Sequence, residues 1–356
     1  MIFNKNSNGS TELKDLIGFI YKSIRFENLT TYIGFSEEGI QDIIGKDVFK
    51  TALDHYNSEH YKAESQNTHP AYRILDELVR MIQFPVAMNA YRNYVPSLDV
   101  QHTDKGRKII VTEEEKPAFE WQTEKDNLNL VELENRGIDL LLKFLDEKID
   151  LMAPNSWADN ESWKDNSSWE DNSDEPLIPW GTSKEYEATK DLLINKVSEF
   201  DKVFVIKSRR TFLGLVPFIR YVQDNMIRSA FLKAKFDEIL DQIKDGDLTI
   251  ENELIVSIAS QSLALLALSM AIRRLSVEVL PDGIFTPLVS NVIKSKSSTT
   301  KVDRNEVSSY LEKDGAAQFR VLQEHLRKLD LQKAGLIYAG EDSTERMKPD
   351  EKFIRL

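Results

Sequence analysis

Asn155-Ser156-Trp157-Ala158-Asp159-Asn160, Glu161-Ser162-Trp163-Lys164-Asp165-Asn166, Ser167-Ser168-Trp169-Glu170-Asp171-Asn172 is one six-residue unit written three times over. A period of six suits neither a helix, which repeats at about 3.6 residues, nor, with Asp-Asn in each unit, a good strand. Asp and Asn also compete locally for backbone hydrogen bonds and favour turns. Residues 153–175 hold seven acidic groups against Lys164 alone. The stretch reads as a solvated connector between two similar halves. Its plainer reading is a surface loop grown by short duplication. Its functional reading is that Trp157, Trp163 and Trp169 dock on a neighbouring subunit, since large rings make good interface anchors.

Composition bounds what lies on either side. A chain of 356 residues, 41% hydrophobic, is long enough for two domains with real cores. It has no cysteine, which excludes disulfides, thiolate catalysis and Cys-ligated zinc. The opening Met1–Ser10 lacks the apolar run of a signal peptide. The most apolar segment, Leu254–Ile272, is interrupted by Ser257, Ser260, Gln261, Ser262 and Ser269, and reads as a buried helix, with no membrane partner. A net charge of −13 argues against a general nucleic-acid binder.

In the first half, residues 1–12 read as frayed. Glu12–Arg25 has a helical stripe, and Ser36 reads as the cap of a helix through Ile40, Ile44, Val48, Phe49 and Leu53. Pro70 precedes a strong helix in which Pro85 predicts a kink. Tyr94–Val100 and Lys108–Thr112 flank Asp104-Lys105-Gly106, a hairpin signal. A helix capped by Thr112 should break near Asp126–Asn129, and a last one covers Leu130–Ile149. The second half begins near Ser183; Tyr186–Phe200 is helical, and Val203–Ile206 is a candidate short strand or extended turn. Leu213–Phe236 is helical, Asp245-Gly246-Asp247 is a stop, and Thr249 caps a long apolar helix. Pro281-Asp282-Gly283 signals a second hairpin, and Asp303–Leu329 is helical.

The order helix, helix, hairpin, helix thus occurs twice. Gln41-Asp42 before Val48-Phe49 parallels Gln223-Asp224 before Ala230-Phe231, and Ala90-Tyr91-Arg92-Asn93 parallels Ala271-Ile272-Arg273-Arg274. The expected fold is mainly α: two tandem similar helical domains, each with an inserted β-hairpin. They are expected at 1–152 with hairpin 94–112, and at 183–356 with hairpin 276–293, joined by an acidic Trp-containing linker, 153–182.

Catalytic signatures are missing from this pattern. Gly39–Lys46 spaces its glycines one residue too far apart for a phosphate loop and has Asp47 in place of the magnesium-binding hydroxyl. His55 and His60, five apart, would face different ways on a helix. No paired metal spacing and no nucleophile elbow occurs. Neither a cofactor nor an enzymatic activity is expected. One charge feature remains: from Val203 to Lys235, the cations Lys207, Arg209, Arg210, Arg220, Arg228, Lys233 and Lys235 face only Asp224. Read as a surface, this segment suits an acidic partner or DNA phosphates, with Lys294, Lys296 and Lys301 adding to it.

The run Ala90-Tyr91-Arg92-Asn93-Tyr94, then Asp99-Val100-Gln101-His102-Thr103-Asp104-Lys105-Gly106-Arg107, then Glu114-Glu115-Lys116-Pro117-Ala118-Phe119-Glu120-Trp121, resembles an uncharacterised family of Bacteroidetes phages and prophages. That family is similar to the helical head–tail connector, or adaptor, proteins of tailed phages. The resemblance covers most of residues 30–180 and, more loosely, the second half. It implies a structural virion protein made in the host cytoplasm and placed in the neck. It would form a homo-oligomeric, typically dodecameric, ring that meets the portal and the tail or further neck proteins, with possible non-specific DNA contact in the lumen. The alternative is a cytoplasmic helical protein-binding module without catalysis.

Overall fold

The computed structural model describes residues 1–18, 25–63, 67–98, 100–103, 106–109, 119–151, 176–274, 278–280, 283–285 and 301–333; for 100–109, Glu120, 278–285 and 301–304 it describes the backbone alone. The protein is mainly α. Its residues divide into two compact units. The first contains the described residues of Met1–Asp191 and Ile206–Val216; the second, those of Leu192–Val205, Pro217–Pro287 and Thr299–Leu356. The division therefore does not fall at the expected 153–182 linker. Leu177, Ile178 and Trp180, counted there as linker, are core residues of the first unit. They follow an acidic run but are themselves apolar, and burial follows side-chain chemistry rather than position in the chain.

In the first unit, α1 (Gly9–Ile17), α2 (Phe26–Ile44), α3 (Lys46–Asn57), α4 (Pro70–Tyr94) and α5 (Glu120–Glu147) supply most of the core. The start of the chain is not frayed. Ile2 and Phe3 are buried, the Ile2 N–H donates to Glu37 Oε1 at 2.6 Å, and Gln83 Nε2 donates to the Ile2 carbonyl at 2.6 Å. Two apolar side chains thus anchor a segment whose polar neighbours made it look loose.

Ser36 does not cap a helix. It lies inside α2, donating its hydroxyl to the Tyr32 carbonyl at 2.7 Å and meeting Asn89 Oδ1 at 2.7 Å. The break comes instead at Gly45, whose φ of 85° the chain can adopt because glycine has no Cβ. Pro70 stands in the first turn of α4, where its missing N–H has no partner to lose. The break expected at Asp126–Asn129 is absent, and α5 runs unbroken. Nothing there stops a helix: the segment has low propensity but neither Gly nor Pro. The predicted Thr112 cap lies outside the described residues.

After α5 the chain re-enters at Leu177, whose N–H donates to the Leu151 carbonyl at 2.8 Å. Ser183 caps α6 (Lys184–Lys190), accepting from the Tyr186 N–H at 3.2 Å, but the helix stops well short of Phe200. A short α7 (Val197–Phe200) follows in the second unit. Val203–Ile206, read as a short strand or an extended turn, is a turn and coil. The helix α8 (Arg209–Asn225) gives its start to the first unit and, from Pro217, its remainder to the second.

The second unit is built on α9 (Lys233–Asp245), α10 (Ile250–Arg274) and α11 (Lys301–Lys333). Gly246, at φ 75°, ends α9, and Thr249 Oγ1 accepts the Asn252 N–H at 3.3 Å to begin α10. By length and composition α10 could cross a membrane. It packs along α11 through small residues. Ser262 donates to the Gly315 carbonyl at 2.9 Å, and Ser269 and Ser308 bond to each other, so these hydroxyls are satisfied in the contact. A Cβ at Gly315 would lie 2.8 Å from Leu266 Cγ. Gly315→Val is therefore expected to lower the stability of this unit by about 1–3 kcal/mol. Urea denaturation checks it, and an unchanged midpoint would show that the helices can part without cost.

Two antiparallel strand pairs also occur. β1 (Val100–Thr103) pairs with β2 (Gly106–Ile109), and β3 (Glu278–Leu280) with β4 (Gly283–Phe285). Within the bounds expected for the first hairpin, Tyr94 still belongs to α4 and Val95–Ser97 form a 3-10 turn.

Candidate functional site

Three features compete for the role of site. The first is the basic segment 203–235, whose residues fall in both units. Arg209 is 7% exposed; its Nε lies 3.0 Å from Asp146 Oδ2 and its guanidinium covers the Phe212 ring. The Arg210 N–H donates to Asp139 Oδ1 at 2.9 Å, as does the Ser208 hydroxyl at 3.0 Å, so a carboxylate of α5 holds the start of α8. Arg228 pairs with Asp237 at 2.9 Å and lies over Phe236, while Lys235 pairs with Glu238 at 2.9 Å. Arg220 is half-buried, and Lys207 and Lys233 are exposed. Of the cations that seemed to face Asp224 alone, Arg209, Arg228 and Lys235 thus pair with acids elsewhere in the chain. Lys294, Lys296, Trp157, Trp163 and Trp169 lie outside the described residues. Lys301 opens α11 and not a hairpin tip; its side chain is not described.

The second feature is a histidine and tyrosine cluster that the spacing of His55 and His60 argued against. His60 lies beyond the end of α3, so helical geometry does not apply to it; the following loop turns it back onto Tyr72, ring to ring at 4.5 Å. His55 and His69 approach the same ring at 5.7 and 5.2 Å. Asp76 is buried beneath them. Its Oδ1 receives His55 Nε2 at 2.7 Å and the Lys62 N–H at 3.1 Å, and Asn67 Nδ2 bonds its Oδ2. The first of these bonds ties α3 to α4, and the other two fasten Lys62 and Asn67, which follow α3, to α4. Among the described residues no group of three or more His, Asp and Glu side chains is placed to hold a metal.

Burial holds the His55 pKa below its ordinary value, against the hydrogen bond and charge of Asp76, which raise it; burial also lowers His69. Both therefore bind protons less readily folded than unfolded. The stability they contribute is full above the unfolded histidine pKa of about 6.5 and is lost as pH falls below it. Thermal melts across this range are expected to shift downward on acidification, with a smaller shift in His55→Gln. Equal slopes for the two proteins would exclude His55 as the cause.

The third feature is a groove of 590 Å³ within the first unit, at the edge of the core, against which its lining residues Leu16, Met81 and Phe84 pack. Leu16 of α1, Met81 and Phe84 of α4, and Gly137 and Leu140 of α5 supply its apolar lining, and Arg73, Glu77 and Arg80 its charged one. Arg73, Glu77, Arg80 and Phe84 recur at helical spacing, which sets them on one side of α4 while Leu75, Leu78, Val79 and Ile82 turn into the core. Gly137 lets α4 and α5 approach here: a Cβ would stand 2.7 Å from Phe84 Cδ1. Leu140 remains 47% exposed. The volume lies in the range of sites that enclose a small ligand or a large side chain with its neighbours. The sequence signal was Arg73, Glu77, Arg80 and Phe84 at helical spacing on α4.

A sequence profile of a family of unknown function, DUF6712, matches residues 40–167 and 225–333, well over half of the chain. The chain belongs to this family. The family's region is repeated, once in each half, and the groove residues of α4 and α5 fall in the first copy. No curated protein and no solved structure matches the chain.

Proposed function

We propose that this DUF6712 member is a tandem duplication of one helical domain with a hairpin, working as a homo-oligomeric structural subunit: a head–tail connector ring of a tailed-phage virion, between portal and tail. Two parallels support the duplication. The family match 40–167 contains α3, α4, β1–β2 and α5, and the match 225–333 contains α9, α10, β3–β4 and α11, the same elements in the same order. The central helices α4 and α10 are each 25 residues long.

The observation that carries the assembly reading is what the closing helix of each copy leaves uncovered. Phe119, at the start of α5, is 70% exposed, and Trp121 and Leu128 along it are 62% and 47% exposed. On α11, Val307, Tyr310 and Val321 are 48–60% exposed at helical spacing. Scattered apolar residues on a surface are ordinary, but apolar stripes on corresponding helices suit repeated contact between copies. A ring subunit acts through such faces and transforms no substrate. DNA contact in the lumen would fall to the basic residues of 203–235 and to Lys294, Lys296 and Lys301. Reversing Arg209 would break its pair with Asp146 instead of testing any docking.

Imaging the assembled particle tests this reading. The expected result is a closed ring of this chain at the neck. A chain found outside the virion, as a persistent monomer holding a single peptide, would replace it with the binding-module reading.

A further inference from the structure

We infer that the groove on α4 is the receptor for the Trp-x-Asp-Asn repeat of a second copy of this chain. The inference rests on the homo-oligomeric reading above and names the contact that makes it. Three observations meet here. The groove has an apolar floor of Leu16, Met81, Phe84 and Leu140, of a size to enclose an indole ring with its flanking residues. Arg73 and Arg80 stand exposed beside that floor, two helical turns apart, with Glu77 between them, so the groove is net positive in a chain whose overall charge is −13. The repeat offers the complement. Each unit places an acid two residues after its ring, as in Trp157 with Asp159, Trp163 with Asp165 and Trp169 with Asp171, and 153–175 has one cation in all.

The chemistry of such a contact is specific. An indole entering the groove removes apolar surface from water on both partners. A guanidinium over the ring adds a cation–π attraction, and the Asp beyond it reaches the second arginine as a charge-assisted hydrogen bond. Aromatic rings and arginines are the residue types that dominate binding energy at interfaces. The copy number argues for docking between chains. Three equal units face one groove per chain; in a self-docked loop two would be idle. Between copies, every added unit raises the effective concentration of ligand for the neighbouring groove.

Two full-length variants test the assignment by complementation: Arg73→Glu with Arg80→Glu, and Trp157→Ala with Trp163→Ala and Trp169→Ala. The first changes exposed side chains and the second lies in the repeat, so thermal melts are expected to stay at the wild-type midpoint. Sedimentation of the wild type should show mass rising with concentration, and each variant alone should lose at least tenfold in association. Mixing the two should restore a one-to-one complex, since one supplies the groove and the other the rings. Variants that assemble like the wild type would overturn the groove assignment and leave the ring reading standing. A wild type that stays monomeric with blue-shifted, quencher-protected tryptophan fluorescence would show self-docking and overturn the contact between copies. A monomer with solvent-exposed tryptophans at all concentrations would overturn both.

Discussion

Asp76→Ala is expected to lower the stability of the first unit by about 3–5 kcal/mol, since it removes several hydrogen bonds to a buried carboxylate, each worth about 1.5–3 kcal/mol. Asp76 is 2% exposed and accepts from His55 Nε2, from the Lys62 N–H and from Asn67 Nδ2. Removing the carboxylate takes this acceptor from all three; Asn67 Nδ2 keeps its bond to the His60 carbonyl at 2.8 Å, while a donor left buried and unsatisfied costs about 1–3 kcal/mol. The loss is not only of contacts. The 58–69 loop would come away from α4, uncovering the Tyr72 ring on which three histidines lie. For a unit of this size the melting temperature should fall by on the order of 10 °C. Asp76→Asn keeps the shape and part of the acceptor capacity and should lose roughly half as much. A melt of Asp76→Ala that overlays the wild type would mean that water replaces the carboxylate and that the cluster does not hold the loop.

Trp180→Ala should cost about as much, roughly 3–5 kcal/mol, because a large ring is deleted from a closed site. Trp180 is fully buried; its Nε1–H donates to Asp146 Oδ1 at 2.9 Å, and its ring lies 5.7 Å from that of Tyr186. The same carboxylate pairs through Oδ2 with the buried Arg209. Trp180 therefore joins the return of the chain after the acidic repeat to α5 and to the start of α8. Trp180→Phe retains most of the apolar surface and loses the N–H, so about 1–2 kcal/mol is expected from it. Denaturant midpoints separate the two: equal losses in both variants would assign the whole effect to the hydrogen bond, and a negligible loss in Trp180→Ala would place the ring outside the cooperative core.

The histidine and groove features differ in how far the sequence could reveal them. The groove face of α4 was present as a pattern, since Arg73, Glu77, Arg80 and Phe84 follow helical spacing and need only the helix to come together. What covers or fails to cover that face is a matter of neighbours. His55 and His60 were judged on a helix that ends before His60. No local pattern states where a loop returns, because loop closure costs little per added residue and is decided by what the far end can pack against.

Helix existence, and many of the termini, belonged to the sequence alone. Pro70, Ser183, Thr249 and Gly246 act on their own backbone through a fixed φ, a side-chain acceptor or freedom from a Cβ, and such local chemistry needs no partner. Tertiary structure decided the rest. It buried Ile2 and Phe3 at a polar terminus, carried α5 through Asp126–Asn129, drew Trp180 into the core, and set Arg209 against Asp146. Each of these depends on residues far apart in the chain: a charge is buried or exposed, and an apolar pair anchored or loose, according to which distant side chains arrive beside it.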